Sequence, residues 1–167
     1  MNLGRTLRHL FCDFWSVRRA FPPDAMAAIE REIGAQERRH AGELRFAVEA
    51  SLPLVDLLRN VTGRERAVEL FGRLRVWDTE QNTGVLVYLL LADRDVEIVA
   101  DRGIHRAVGE AGWAAICGEM ERAFGRGEFL QGVIRGVQAI SDLLATHCPP
   151  RPDNPDELPD RPVIVRD

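Results

Sequence analysis

The chain has 167 residues, of which 46% are hydrophobic and 29% charged, a composition typical of one globular domain rather than a disordered or fibrous protein. Its net charge is −4 and its charges are interspersed, which argues against nucleic acid as a partner. All 22 basic residues are arginine, which excludes lysine Schiff-base chemistry and a lysine-based phosphate loop.

The cysteines and the hydropathy pattern bear on the cellular compartment. Cys12, Cys117 and Cys148 are scattered and form neither a disulfide framework nor a zinc-ligand spacing. The longest apolar run, Val85 to Ala92, is far too short to span a bilayer, and charged residues interrupt the N-terminus before a signal-peptide core can develop. We therefore expect a cytoplasmic protein.

Residues 1–21 form the first predicted segment, a short amphipathic helix. Its apolar side chains recur at helical spacing and its basic residues lie elsewhere on the helix. The apolar residues are Leu3, Leu7, Leu10, Phe11, Phe14 and Trp15. Two interpretations stay open: the helix packs on its own domain or on a protein partner, or it makes a peripheral membrane contact. The first is favoured because the positive cluster is small.

Residues 22–148 are predicted to form the domain proper, beginning with a helix from Pro22-Pro23 to about His40. A strand of alternating polarity follows at 42–50, then a helix opened by a Thr62/Glu65 capping box and ending near Trp77. The run 84–91 is apolar on both faces, which predicts a central strand parallel to the first.

The rest of the domain is predicted to be one antiparallel strand and two helices. The strand covers 95–101, after a short turn at Asp93-Arg94. One helix contains Trp113 to Phe124, and the other contains Phe129 to Leu144, with two glycines four residues apart that permit close approach. The pattern therefore predicts an α/β domain with a small mixed sheet and helices packed on it.

Residues 149–167 form a proline-rich tail that we expect to be extended or mobile. Six of the nine prolines of the chain fall within fourteen residues there, which stops the preceding helix. The apolar stretch 163–165 near its end is long enough to add an edge strand.

The polar faces of two predicted strands suggest a binding site. Alternation places three charged residues of the first strand on one face and three acidic residues of the antiparallel strand on one face. These residues are Glu43, Arg45 and Glu49, and Asp95, Glu97 and Asp101. If the two faces lie on the same side of the sheet, their carboxylates suit Ca2+ or Mg2+. The competing interpretation, solvated cross-strand ion pairs, is favoured.

The turn after the central strand is the first candidate for that site. Asp93, Arg94 and Asp95 follow the carboxyl end of this strand, the edge at which open α/β sheets bind ligands. Arg94 is able to bind an anion while the aspartates bind metal. At the opposite edge, Asp78 and Asn82 precede Gly84 and are expected near Asp101.

Several sequence blocks in this order resemble the TPM domain family, the thylakoid lumen phosphatase-like domains, over about residues 22–148. The blocks are GELRFAVEA at 42–50, Asn82-Thr83-Gly84-Val85-Leu86, Asp101-Arg102-Gly103-Ile104, Gly112-Trp113 and GEFLQGVIRGVQAISDLL at 127–144. Among its members the chain is most similar to a bacterial branch, here without a signal peptide or membrane anchor. The resemblance implies a small mixed sheet covered by helices and, as in several relatives, a divalent cation held by acidic residues.

Two functions follow from the residues and the resemblance together. The first is a non-catalytic binding or interaction module that assists or stabilises protein partners. The second is a divalent-metal-dependent, phosphatase-like hydrolase. No nucleophile, base and orienting group can be assigned, which favours the first, while the acidic residues around Arg94 keep the second open.

Overall fold

In the computed structural model, which describes residues 3–166, eight helices surround a four-stranded sheet. Met1, Asn2 and Asp167, with the side chain of Leu3 from the predicted N-terminal stripe, lie outside the described residues. The helices are α1 (Leu3–Phe11), α2 (Phe14–Ala20), α3 (Pro23–Glu37), α4 (Leu54–Leu58), α5 (Gly63–Arg73), α6 (Arg102–Val108), α7 (Glu110–Gly125) and α8 (Phe129–His147). The strands are β1 (Glu43–Glu49), β2 (Gly84–Leu90), β3 (Asp95–Ala100) and β4 (Val163–Val165).

The sheet has the strand order β3-β2-β1-β4 and is mixed. β1 is parallel to β2 and to β4, whereas β3 runs antiparallel to β2. The α/β class, the small mixed sheet and the inner position of the wholly apolar strand are therefore confirmed. β2 is apolar on both faces because helices cover it on both sides.

The larger core lies between one face of the sheet and helices α3, α7 and α8. Phe46 of β1, Val87 of β2 and Ile98 of β3 pack there against helix residues such as Ile33 and Phe124. Glycines on α8 bring two helices together, since a Cβ on Gly132 would lie only 2.6 Å from Phe124. The close approach expected from the paired glycines is thus present.

The opposite face of the sheet carries a second, smaller core. Leu86 and Tyr88 of β2 pack there against Leu70 of α5 and Leu57 of α4. Leu158 from the C-terminal tail completes this layer. Every residue of β1 is consequently buried, including the charged side chains that alternation placed on a solvated face.

Three helices differ from the sequence prediction. The N-terminal segment is two helices rather than one, because Asp13 and Ser16 form a capping box that starts α2 after a break at Cys12. The short helices α4 and α6 had not been predicted: five and seven residues are too few for a 3.6-residue period to be recognised.

The proline-rich tail runs along β1 and then forms β4. Its backbone at Leu158 donates to Glu43, and its carbonyl at Pro159 accepts from Arg45. The tail then pairs with β1, matching Val163 with Ala47 and Val165 with Glu49. The predicted edge strand is therefore confirmed, and residues 158–165 are fastened to the domain.

The outer edge of β3 is covered by side chains. The Val96 amide donates to the Glu121 carboxylate at 3.2 Å, and Arg64 donates to the Ile98 carbonyl at 2.6 Å. Edge groups that a further strand would use are in this way satisfied. Between residues 3 and 166, no helix combines the length and apolarity that crossing a bilayer requires.

Candidate functional site

The turn at the carboxyl end of β2 lies under the N-terminal helices. The Arg94 amide closes the turn onto the Leu91 carbonyl at 3.1 Å, and Arg94 itself has a φ of 53°, a left-handed conformation that is uncommon for a residue with a side chain. This backbone leaves Arg94 exposed and Asp93 partly buried beneath α1.

Three basic side chains of α1 bind the Asp93 carboxylate. Arg5 Nε donates to Oδ2 at 2.8 Å, Arg8 donates to Oδ1 at 3.0 Å, and His9 Nε2 lies 3.1 Å from Oδ2. Burial raises the pKa of Asp93, but these hydrogen bonds outweigh it and the pKa is lowered overall. Asp93 is therefore the ionised anchor of α1, and both of its oxygens are engaged.

The hydrogen bonds of His9 define its tautomer. The Leu52 amide donates to Nδ1 at 3.0 Å, so Nδ1 is the acceptor. The ring proton then belongs on Nε2, which donates to Asp93. Both ring nitrogens are hydrogen-bonded and 3% of the residue is exposed, so His9 fixes α1 to the domain and is not available as a base.

Beside the turn lies an open cavity of about 1190 Å3. It is bounded by α1 and α2, by the turn, and by the first residues of α8. Its cationic lining residues are Arg8, Arg19 and Arg94, its carboxylates are Asp24 and Asp93, and its apolar lining includes Phe129. No side chain caps the start of α8, so the positive end of that helix dipole also faces this region.

Two of the cavity arginines form no ion pair with a carboxylate of the described residues. Arg19 and Arg94 are exposed, and neither has a carboxylate partner among residues 3–166. Asp93, the nearest carboxylate to Arg94 in sequence, is already bound by α1. A planar guanidinium group suits an anionic group, and the apolar part of the lining suits a hydrophobic part attached to it.

The predicted acidic residues of β3 share a sheet face with those of β1. The register aligns Glu49 with Leu90 and Asp95 in one row, and Ala47 with Tyr88 and Glu97 in the next. Burial, followed by nearby carboxylates, raises the pKa values of Asp95 and Glu97. Asp95 lies so close to Gly63 that a Cβ there would be 1.9 Å from its carboxylate, which explains the glycine at the start of α5.

Glu49 forms a buried ion pair with a residue that sequence reasoning did not select. Arg66 of α5 binds both Glu49 oxygens, at 2.9 and 2.7 Å, and the Tyr88 hydroxyl donates to the same carboxylate at 2.7 Å. The side chains of Arg66 and Glu49 are each 3% exposed. This group links α5 to the sheet, and its three members are buried and bonded to one another, so we assign it a structural role.

Glu43 and Arg45 lie at the other end of β1 under the tail. Burial raises the pKa of Glu43 to about 6, although it accepts the Leu158 amide. Nearby, burial and then a hydrogen bond with Asp160 raise the pKa of Glu37 to about 10, so Glu37 is protonated at neutral pH. Glu37, Asp156 and Asp160 have oxygens within 4.8 Å of one another.

The remaining predicted residues lie at the opposite edge of the sheet from Asp93. Asp101 is the N-cap of α6 and accepts the Arg102 amide at 2.7 Å. Asp78 and Asn82 are exposed in the preceding loop, whose backbone at Asn82 would be 2.9 Å from a Cβ on Gly103. The expected meeting of these two loops is observed.

The predicted metal ligands are spread along β3 rather than gathered at one point. Asp93 and Asp101 flank the strand at its two ends, about 20 Å apart at 3.3 Å per residue. Within the described residues, the only three carboxylates with mutually close oxygens are those beside Glu37. Of the predicted metal ligands, Asp95 and Glu97 are neighbours on one face of β3, and neither has arginines bound to both of its carboxylate oxygens.

Sequence reasoning missed the N-terminal half of the site. The apolar side of this helix was expected to pack, but Arg5 and His9 pack instead, Arg8 reaches Asp93 from an exposed position, and the apolar side faces out. The signal was present as basic residues at i, i+3 and i+4, which lie on one helical face. Their acidic partner is 84 or more residues away, which no local pattern reveals.

Comparison with known proteins identifies the family. The model of the TPM domain, named TPM_phosphatase, matches residues 18–143. The NMR structure of the BA42 protein from the psychrophilic bacterium Bizionia argentinensis is similar, with a TM-score of 0.72 and 27% identity over 85% of this chain and 93% of that one. No curated protein matches. Since the family model covers well over half of the residues, this chain belongs to the TPM domain family.

Proposed function

We propose that this TPM domain is a non-catalytic binding module that holds an anionic, partly apolar segment of a protein partner and so assists or stabilises that partner. The observation that carries the proposal is the cavity at the carboxyl edge of the sheet, where Arg19 and Arg94 form no ion pair with any carboxylate of residues 3–166. A glutamate side chain or a chain terminus would bind their guanidinium groups, and its apolar neighbours would contact Phe129.

The residues around the cavity support binding rather than catalysis. Cys12 and Ser16 line it, but no described histidine does. The Ser16 hydroxyl is bonded to Asp13 within the cap of α2, and burial raises the pKa of the Cys12 thiol. Hydrogen bonds from Ser16 lower the pKa of Asp13, so this carboxylate is a weak base, and among the described residues neither nucleophile has a histidine beside it in the cavity.

The proposal is tested by fluorescence anisotropy with a labelled peptide of alternating glutamate and leucine. We expect the Arg19→Ala/Arg94→Ala variant to bind it at least about tenfold more weakly than the unmodified protein, the loss expected for two charge-assisted contacts. Arg102→Ala/Arg106→Ala, two exposed arginines on α6, is the matched control and should bind normally. Equal binding of a glutamine-leucine peptide would contradict the proposal.

A phosphatase-like hydrolase is the second candidate, and the same cavity favours it because the arginines in its lining also suit a phosphate group. Ca2+ or Mg2+ would then be held from the Asp95–Glu97 side of the turn. Burial first and then neighbouring carboxylates, Glu121 for Asp95 and Asp95 for Glu97, raise the pKa values of this pair, and a cation there would relieve that repulsion.

Calorimetric titration of chelator-treated protein with Ca2+ and with Mg2+ separates the two candidates. Saturable heat that disappears in Asp95→Ala and persists in Asp101→Ala would locate a cation at the turn end of β3. Hydrolysis of p-nitrophenyl phosphate that depends on that cation and on Asp95 would overturn the binding-module proposal. Heat without hydrolysis would leave a metal-stabilised binding module.

A further inference from the structure

Helix α1 packs on the domain with its polar face inward. Arg5 and His9 reach Asp93, Arg5 also donates to the Val61 carbonyl at 3.0 Å, and His9 is buried. A helix on the surface of a water-soluble domain ordinarily buries its apolar stripe and exposes its charges. α1 does the reverse.

The apolar face of α1 consequently points to solvent and continues onto α2. Leu7 is 46% exposed, Leu10 63%, Phe11 83% and Trp15 68%. Phe11 and Trp15 flank the break between the two helices, so two large aromatic side chains stand at the corner. Such a concentration of exposed aromatic and leucine side chains marks an interaction surface.

Helix α4 adds apolar residues beside α1. The chain on either side of α4 is bonded to α1, through Leu52 to His9 and through Val61 to Arg5. Between these two attachments, Leu54 is 54% exposed and Leu58 is 59% exposed. The apolar surface therefore includes residues of α1, α2 and α4, and we name it the N-terminal apolar face: Leu7, Leu10, Phe11, Trp15, Leu54 and Leu58.

The charge around this face has the opposite sign to that of the whole chain. Residues 3–21 contain four arginines and one aspartate, a net charge of +3 that becomes +2 with Asp93, which Arg5 and Arg8 bind, against −4 for the complete sequence. Arg18 and Arg59, at the ends of α2 and α4, are exposed and extend the positive rim. α1 itself has no acidic residue.

From this geometry we infer that the N-terminal apolar face docks on an anionic lipid surface. Leucine and aromatic side chains enter the boundary between headgroups and acyl chains, and arginines at the rim contact lipid phosphates and carboxylates. The rim charge favours a lipid surface over a second copy of this chain, because two positive rims would repel each other. Asp93 holds α1 on the domain with this face outward.

The test is co-sedimentation of the full chain with vesicles of phosphatidylcholine alone or of equimolar phosphatidylcholine and phosphatidylserine. We expect binding to the mixed vesicles and, from the charge contribution of the rim, at least about tenfold weaker binding to phosphatidylcholine. Leu10→Ser/Trp15→Ser should reduce binding to the mixed vesicles by about tenfold or more. Neither residue lines the cavity, so this variant should still bind the acidic peptide.

Two matched controls make the outcome specific. Val68→Ser/Trp77→Ser removes two apolar side chains of similar exposure, 52% and 51%, from outside this face and should leave vesicle binding unchanged. Arg18→Glu/Arg59→Glu should abolish the preference for phosphatidylserine, whereas Arg102→Glu/Arg106→Glu on α6 should not. Equal losses in test and control variants would overturn the inference. So would a dimer in sedimentation equilibrium that Leu10→Ser/Trp15→Ser dissociates, with no vesicle binding.

Discussion

At the scale of single residues, the group of Glu49, Arg66 and Tyr88 is the most costly to disturb. Arg66→Met leaves the Glu49 carboxylate buried without its counter-ion, so we expect the free energy of unfolding to fall by about 3–5 kcal/mol. Tyr88→Phe removes one hydrogen bond and should cost about 1–2 kcal/mol. Urea denaturation measures both, with exposed Arg106→Met as the control. A loss for Arg66→Met no larger than the control would show that the pair is dispensable.

Glu37 predicts how stability depends on pH. Its folded pKa, about 10, lies above its ordinary value of 4.5 because of burial and then Asp160, so folding favours the protonated form. The stability it contributes is complete below pH 4.5 and is lost progressively as pH rises toward 10. Glu43, with a pKa of about 6, adds a loss of the same sign between pH 4.5 and 6.

Glu37→Gln tests this dependence, since the amide imitates the protonated acid and keeps an acceptor for the Leu44 amide. We expect the variant to be more stable than the unmodified protein at pH 8 by on the order of 4–5 kcal/mol and nearly equal at pH 4.5. Urea titrations at the two pH values supply the comparison. A constant difference across this range would mean that Glu37 is ionised in the folded state.

At the scale of elements, the contact between α7 and α8 depends on glycine. A Cβ on Gly132 would lie 2.6 Å from Phe124 and 3.0 Å from Ala123, so Gly132→Ala overpacks a fixed interface and should cost about 1–3 kcal/mol. Gly72 of α5 has no atom within 4 Å of such a Cβ, and Gly72→Ala should instead stabilise by about 0.5–1 kcal/mol. Thermal unfolding followed by circular dichroism distinguishes the two signs, and stabilisation by Gly132→Ala would show that the interface can yield.

The elements also show what periodicity predicts well. β2 was identified because eight apolar residues in succession fit a strand covered on both faces, and α5 because Thr62 and Glu65 announce its start. β1 was placed correctly, but its charged face was expected in water. The covering groups, Arg66 on α5 and the backbone of the tail, come from segments 17 and 115 residues away, where local alternation carries no information.

At the scale of the whole molecule, the C-terminal tail is attached to the sheet through β1. Truncation after Cys148 would remove buried Leu158 and Val165 and uncover the edge of β1. We expect the truncated chain to lose about 3 kcal/mol or more of unfolding free energy and to self-associate at its exposed edge. Urea denaturation and light scattering test this, with Leu158→Ala as a milder comparison. A monomeric truncated chain of unchanged stability would show that the tail is only an appendage.

The candidate site was predictable only in part at this same scale. The turn at Asp93-Arg94 was located correctly at the carboxyl edge of the sheet because β2 could be recognised. The residues that bind Asp93 could not be predicted, because α1 and Asp93 are 84 or more residues apart in the sequence. Because of that one tertiary contact, Asp93, which was expected to bind a metal ion, binds basic residues of α1.

The covered edges of the sheet determine how another protein can be recognised. β4 and the tail occupy the outer side of β1, while Glu121 and Arg64 take backbone groups on the outer side of β3. A partner therefore cannot pair with β1 or form a continuous ladder along β3, and the edge strand that is left, β4, has only three residues. Selectivity must come from side chains, and mutations that change partner preference should map to the surface of α1, α2 and the 91–94 turn rather than to any strand.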